Sequence, residues 1–426
     1  MEQINPQTPG DGPRMADPAL LRVIGRHSLG WLVAANAIGL LLAALLLWPE
    51  LNAPLAPLTY GRWMPLHLNW QLYGWCALPL VGVLVYYYLP DDARATWAAR
   101  LALGSWSGAL LYGGLTWLGG QTSGKPFLDW TGSARFAWSL ALLILWLVLV
   151  TQGRRRGLGP WWAKGLLTAL FPVPFLLYWA AGPKIYPVVN PDSGGATGAS
   201  LLGSTLGLLA IFGLLPWLLR LAPREGSRPR RVFAAALALT LSCFAGISHG
   251  HASHHQLDQI IGLGLLLAWI PLVWLYARSF EWRADSRRWL GAAFVWWALL
   301  VGTGLLTFLP GISERLKFTN ALVAHSHLAM AGLVTSLHVA LLLNLGRGRP
   351  LRAWTFWAWQ LGCGVQVAAL LWLGWREGAD PFLLSVRGGL ADACYGLRFI
   401  AGGVMLVTSC LWWWDLGRKI HEPQKN

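Results

Sequence analysis

Charged residues are scarce in this chain: they make up 12% of its 426 residues, whereas hydrophobic residues make up 55% and tryptophan alone occurs 29 times. A water-soluble domain of this length could not bury so much apolar surface, so the composition predicts a protein embedded in a lipid bilayer. The formal net charge of +15 would suggest a nucleic-acid partner in a soluble protein. Here the basic residues stand in short clusters between apolar runs, where they set membrane orientation, and we exclude nucleic acid as a partner.

Cysteine is also scarce, and its positions exclude two kinds of site. None of the five cysteines belongs to a Cys-x-x-Cys-His sequence, which argues against covalently attached haem. All of them lie inside apolar runs, which argues against a disulfide framework. They are Cys76, Cys243, Cys363, Cys394 and Cys410. Any haem in this chain would therefore be bound non-covalently.

Long apolar runs define the domain organisation. Residues 1–29 are polar and lack the apolar core of a signal peptide, so we expect a disordered cytoplasmic tail there, a membrane domain over 30–416 and a second cytoplasmic tail over 417–426. A bilayer core of about 30 Å needs roughly twenty apolar residues per helix. Such stretches predict twelve transmembrane helices, at about 30–49, 65–89, 96–119, 134–152, 160–182, 198–219, 231–248, 257–277, 288–309, 318–345, 352–375 and 391–414.

The loops between these stretches predict the orientation. Most of the 33 Lys and Arg residues fall on one side of the membrane if both termini are cytoplasmic. We therefore expect a multi-pass protein of the cell inner (plasma) membrane with both termini in the cytoplasm. No internal repeat is evident that would indicate the inverted repeats of transporters.

Histidines gather at the opposite, outer face. His67 lies just inside the start of the second helix, His325 and His327 lie about two turns into the tenth, and the sequence GISHGHASHH follows the seventh. Imidazole is a good iron ligand and is costly to leave in hydrocarbon, so several imidazoles at one depth indicate a metal or haem. The alternative is a histidine that hydrogen-bonds a neighbouring helix, which we favour for the isolated His338.

The spacing of His325 and His327 is more specific. Residues two apart on an α-helix point about 200° apart, so these two cannot ligate one metal atom but can each serve a different haem. Here the sequence resembles subunit I of the haem–copper oxidase superfamily, which includes cytochrome c oxidases and nitric oxide reductases. The resemblance rests on twelve helices in matching order and on the segments YGRWMPLHLNWQLYGW, NALVAHSHLAMAG and CYGLRFIAGG. It implies a low-spin haem on His67 and His327 and a high-spin haem on His325. It also implies that Arg398 and Arg62 face haem propionates.

Departures from that family indicate that copper is absent. The resembled family holds copper with one His from the sixth helix and a His-His pair at the end of the seventh, but here the sixth helix has no His. Alignment leaves His249 as a single residual ligand, and the rival alignment, which places His254 and His255 on the pair, leaves the sixth helix empty too. The ends of the sixth and seventh helices also carry no Glu, which argues against the non-haem iron site of nitric oxide reductases, where a carboxylate completes the histidine set. Helices 6 to 9 also lack internal Asp, Glu and Lys, so proton pumping is not expected.

The cluster of His251, His254 and His255 supports two interpretations. It can bind a transition metal or accept protons near the haems, or it can be a solvated loop. The sequence leaves both open.

Three functions follow from these features. The first is an oxidoreductase subunit of a respiratory complex, with a low-spin and a high-spin haem, that reacts with a diatomic gas such as oxygen or nitric oxide. The second is a non-catalytic electron-transfer or gas-sensing haem protein, and the third is a transporter that reuses the fold. The chain has no soluble redox domain, so an external cytochrome or quinol, and partner subunits, would supply electrons. The catalytic residues, the haem type and the donor stay undefined at this level.

Overall fold

The computed structural model describes residues 17–346, 351–385 and 388–418. Within these ranges the chain forms twelve long helices and no β-strand. In chain order they are α1 (Pro18–Leu47), α2 (Tyr60–Tyr88), α3 (Ala93–Leu118), α4 (Gly132–Arg156), α5 (Trp161–Ala180), α6 (Gly198–Leu218), α7 (Arg228–Gly246), α8 (Leu257–Arg278), α9 (Ala284–Leu306), α10 (Asn320–Leu345), α11 (Ala353–Ala379) and α12 (Gly389–Arg418). Ten of these, all except α3 and α7, are long and apolar enough to cross a membrane. The predicted all-α, polytopic membrane fold is confirmed.

The first helix begins earlier than the sequence predicts. Residues 18–29, expected to belong to a polar tail, are helical, and the Asp17 side chain caps the helix by accepting a hydrogen bond from the Ala19 backbone N–H at 2.9 Å. The prolines of residues 1–16 obscured an apolar face, on which Leu20 and Ile24 are buried. His27, also assigned to the tail, lies in α1 with its Nδ1 2.7 Å from Ser107 Oγ of α3. Residues 1–16 and 419–426, the rest of the two predicted tails, lie outside the described residues.

Two helices carry a π-helical segment, and both segments follow a histidine of the predicted site. In α2 the segment is Trp70–Cys76, and in α10 it is Leu328–Val334. The two helices pack against each other at this level, where Trp75 Nε1 donates a hydrogen bond to Thr335 Oγ1 at 2.8 Å. A π-helical turn inside an α-helix is rare and often marks a functional site. These segments place the outer halves of α2 and α10 side by side.

Aromatic packing fixes the loop that joins α3 to α4 over the end of the bundle at which His67 lies. Trp130 in this loop stacks on Trp138 of α4, with ring centroids 4.7 Å apart and planes 8° apart. Tyr73 of α2 packs edge-on against both rings and donates a hydrogen bond to the Phe127 carbonyl at 2.7 Å. Large rings packed in this way contribute much buried area and a defined geometry. Phe127 is thereby held above the space between α1, α2, α10, α11 and α12.

Candidate functional site

A cavity of about 720 Å³ lies between α1, α2, α10, α11 and α12, below Phe127. Its wall is mostly apolar, and its polar residues are His67, Gln71, Ser326, His327, Gln366, Asn36 and Arg398. Pockets for cofactors commonly combine an apolar wall with a few convergent polar groups. The cavity thus brings together three residues that the sequence singled out: His67, His327 and Arg398.

His67 enters the cavity from α2. Its Nδ1 donates a hydrogen bond to the Ala35 carbonyl of α1 at 2.9 Å, which fixes the plane of the ring. The ring packs so closely on Gly39 that a Cβ atom there would lie 2.7 Å from His67 Cε1. Among the described residues no hydrogen bond occupies Nε2. This nitrogen is therefore available as a ligand.

His327 enters the same cavity from α10. Its Nδ1 donates a hydrogen bond to the Val323 carbonyl of its own helix at 2.8 Å. Again no described residue hydrogen-bonds to Nε2. A histidine that ligates a metal nearly always donates its other ring N–H to a carbonyl or carboxylate, and both rings have this arrangement. The cavity could therefore hold an iron between two imidazoles.

Arg398 of α12 is the only positively charged side chain that lines the described cavity, and it is 7% exposed. No ion pair within the described part of the chain neutralises it. A buried guanidinium needs an anionic or strongly polar partner, and it binds carboxylates well because it offers several N–H donors in a fork. A carboxylate on a bound cofactor would satisfy this requirement.

His325 points away from this cavity, as the two-residue spacing on α10 requires. Its Nδ1 lies 3.1 Å from Thr303 Oγ1 of α9, and a Cβ atom on Gly304 would lie 3.4 Å from its Cε1. Thr303 can therefore orient the ring, as a carbonyl does for His67 and His327. No described residue hydrogen-bonds to His325 Nε2, which leaves it available as a ligand.

The structure places two other predicted residues away from the cavity. Arg62 does not line it, and its guanidinium packs against Gly120, where a Cβ atom would overlap it. His249 is exposed; its Nε2 lies 3.0 Å from the Phe244 carbonyl, and its ring packs edge-on against Phe244. No contact joins it to His325 in the described structure. His338 is buried in the inner half of α10 and packs edge-on against Trp75.

Four polar residues of the cavity were missed by the sequence analysis: Asn36, Gln71, Ser326 and Gln366. Gln71 lies one helical turn after His67 and is 8% exposed, and Gln366 of α11 is 5% exposed. The side-chain oxygen of Gln71 is buried without a hydrogen-bond partner among the described atoms. The spacing of four residues from His67 places Gln71 on the same helix face and could have identified it. Nothing in the sequence around Gln366 marks it.

Comparison with known proteins gives a structural likeness only. No family model and no curated protein sequence matches the chain. Thirty-one chains in solved structures match its fold. One of them, a heme-copper terminal oxidase dimer solved by cryo-EM, is 13% identical, with a TM-score of 0.51 over 95% of this chain and 85% of the other. The chain therefore has the polytopic all-α membrane fold of the heme-copper terminal oxidases.

Proposed function

We propose that this chain is a membrane haem protein of respiratory electron transfer, with a low-spin haem between His67 and His327. The observation that carries the proposal is the matched pair of imidazoles. Both donate Nδ1–H to a backbone carbonyl and both keep Nε2 free at one cavity. A buried pair held in this way is expected for axial ligands and has no evident purpose in a haem-free bundle.

The rest of the cavity fits a haem as well. The apolar wall would exclude water from the macrocycle, and Arg398 would pair with a propionate. When bound, the haem supplies one-electron oxidation and reduction. His67 and His327 would hold the iron through their Nε2 atoms, and burial and the charge of Arg398 would set its potential. Arg62 would contact a second propionate only if its guanidinium moved away from Gly120.

A second, high-spin haem on His325 is part of the proposal. Thr303 orients the imidazole of His325. Helix α6 has no His, Glu or Lys that would ligate the opposite side of the iron. An iron with one open position would bind a diatomic gas such as oxygen or nitric oxide. We propose that copper does not accompany it, because α6 has no His and the Nε2 of His249 is engaged by a carbonyl.

The likeness to a heme-copper terminal oxidase supports membrane association within a complex. We propose the plasma membrane, cytoplasmic termini and haems near the outer side. Electrons would come from an external cytochrome or quinol, through partner subunits.

The low-spin haem is tested by replacing His67 or His327 with Ala in the purified membrane protein. Each change should remove the six-coordinate spectrum of the reduced protein, because a low-spin iron of this type needs both imidazoles. His249→Ala is the matched control and should keep the full spectrum and the same copper content. A complete low-spin spectrum in either His67→Ala or His327→Ala would refute the assignment.

The second candidate function is a non-catalytic electron carrier or gas sensor, which the missing copper ligands favour. Carbon monoxide added to the reduced protein separates the possibilities. A shift that disappears in His325→Ala, with two haems per chain, supports the open iron. One haem per chain and no shift would leave a single-haem electron carrier, and no haem at all would favour a transporter.

A further inference from the structure

Three loops meet at the outer surface, beside α6 to α10 and away from the haem cavity. Asp192 comes from the loop between α5 and α6, His254 and His255 from the loop between α7 and α8, and Glu314 from the loop between α9 and α10. Ligand atoms of Asp192, His254 and His255 all lie within 4.8 Å of one another. Glu314 Oε1 lies 2.7 Å from His254 Nε2 and 3.6 Å from His255 Nε2. We call these four residues the outer cluster.

We propose that the outer cluster binds one divalent transition metal ion of the zinc class, ligated by His254, His255, Asp192 and Glu314. Two imidazoles and two carboxylates form a donor set that suits Zn²⁺. Bonds of about 2.0–2.2 Å place neighbouring ligand atoms of a tetrahedral site roughly 3.3–3.6 Å apart. The ligand atoms of Asp192, His254 and His255 therefore need to close by about 1 Å, which the exposed side chains of Asp192 and His255 can do by rotation. Glu314 Oε1, now at hydrogen-bond distance from His254 Nε2, needs to move slightly away from it.

The surroundings hold the ligands in place. His254 is fully buried, and its ring packs edge-on against Phe308, just after the end of α9. Ser253 Oγ donates a hydrogen bond to Asp192 Oδ2, and the Gly311 N–H donates one to Glu314 Oε2. Glu314 thus keeps Oε2 fixed and turns Oε1 towards the imidazoles, and Asp192 keeps one oxygen fixed in the same way. Such outer contacts orient ligands and usually change metal affinity when removed.

Asn190 makes the site sensitive to the proton position on His254. Its Nδ2 lies 2.6 Å from His254 Nδ1, while its Oδ1 accepts the Asp192 backbone N–H. In this state His254 carries its proton on Nε2 and donates it to Glu314. Metal binding needs the Nε2 lone pair, so the proton must move to Nδ1 and the Asn190 amide must turn to accept it. A carboxylate at position 190 would favour the metal-binding tautomer directly.

The outer cluster differs from the copper site of the resembled family. Carboxylates supply half of its ligands, helix α6 supplies none, and all four residues stand in segments that connect the twelve long helices, Glu314 in the short helix Ser313–Leu316. A metal here would join the three loops to one another. It would lie at the same end of the bundle as His325, because Thr303, which contacts His325, lies in the last turn of α9, and Phe308, which contacts His254, follows that turn.

The test is Zn²⁺ binding to the chelator-treated, haem-containing protein, measured by calorimetry and by metal analysis after dialysis. We expect one Zn²⁺ per chain, a higher melting temperature with Zn²⁺, and affinity at least 10–100-fold weaker in His255→Ala and Asp192→Ala. Both replaced side chains are exposed, so these variants should fold. His249→Ala is the control and should bind as the wild type does.

Asn190→Asp should bind Zn²⁺ more tightly than the wild type, and unchanged or weaker binding would contradict the role of Asn190. Failure to bind stoichiometric Zn²⁺, or wild-type affinity in His255→Ala and Asp192→Ala, would overturn the proposal. The haem spectrum is recorded for every variant and should not change. The inference therefore stands or falls independently of the haem assignment.

Discussion

At the scale of single residues, the surroundings of the candidate ligands depend on glycines as much as on histidines. Gly39 lets α1 approach the ring of His67, and Gly304 leaves space beside His325. In both places a methyl group would touch a planar ring, which cannot bend away. The position of each imidazole is thus set by a neighbour on another helix.

Gly39→Ala should disturb the His67 ring and weaken haem retention. The new Cβ would lie 2.7 Å from Cε1, closer than atoms in a packed core approach. Overpacking of this kind costs about 1–3 kcal/mol, which is roughly a 5- to 150-fold loss of the ligated state. The measurement is low-spin haem per chain. Gly25→Ala on the same helix, where a Cβ would meet nothing within 4 Å, is the control and should retain all of it. Equal haem content in the two variants would contradict this view of α1.

The sequence identified residues with distinctive side-chain chemistry. It missed residues whose role depends on which helices pack against each other. His67, His327 and Arg398 could be found because ionisable groups are rare and costly in an apolar helix. Gln366 and Gly39 could not, since their importance depends on which helices meet. Arg62 was expected at the site from its position in the chain, yet its guanidinium lies against Gly120.

At the scale of the helices, their ends follow capping chemistry that hydropathy does not report. Asp92 begins α3, and its side chain accepts a hydrogen bond from the Ala95 N–H at 2.8 Å. Arg155, at the end of α4, lies 2.7 Å from the same carboxylate. The Ala95 hydrogen bond and the Arg155 guanidinium hold the pKa of Asp92 below its usual range. Asp92 thus joins two helix ends on the side opposite the histidines.

Asp92→Ala should lower the melting temperature at pH 7 and make little difference in acid. Because the pKa of Asp92 is lowered on folding, its contribution is present above the unfolded value of about 3.9 and is lost as pH falls through the folded value. Asp92→Asn is the matched control, since asparagine can cap a helix but does not titrate. We expect the advantage in melting temperature of Asp92→Asn over Asp92→Ala to stay the same as the pH falls. If the melting temperature of the wild type exceeded that of Asp92→Ala as much at pH 2–3 as at pH 7, the ionised cap would be contradicted.

The twelve helices could be predicted because a bilayer demands long apolar segments. Interruptions within helices could not be predicted in the same way. The π-helical turns of α2 and α10 arise where these helices pack together, and the first turns of α1 are stabilised by burial of Leu20 and Ile24. Tertiary contacts therefore determine the helix ends and the π-helical turns, which a hydropathy profile does not show.

At the scale of the whole molecule, the bundle has two chemically different faces. Connections that carry arginine clusters, such as Arg228, Arg230 and Arg231 at the start of α7, alternate along the chain with connections at the face where the histidines gather. The positive-inside rule orients such a bundle with the arginine face in the cytoplasm. The outer cluster and the haem cavity would then both open towards the outside.

This orientation predicts the labelling of two introduced cysteines in intact cells. Ser385→Cys, in the exposed loop between α11 and α12, should react with a membrane-impermeant maleimide added from outside. Ser227→Cys, in the exposed loop between α6 and α7, should react only after the membrane is opened. The unmodified chain gives the background from its own cysteines. The opposite labelling pattern would invert the proposed topology.

The π-helical turns after His67 and His327 bear on how this chain can be compared with others. One residue added to an α-helix rotates everything beyond it by about 100°, but a π-helical turn absorbs the addition locally. In α2 and α10, the half that carries the histidine and the half beyond the π-helical turn can therefore each keep the same side facing the bundle. This holds even when one residue is added between the two halves. Any residue-by-residue alignment with a chain that lacks these turns must shift by one position inside each helix, not in a loop.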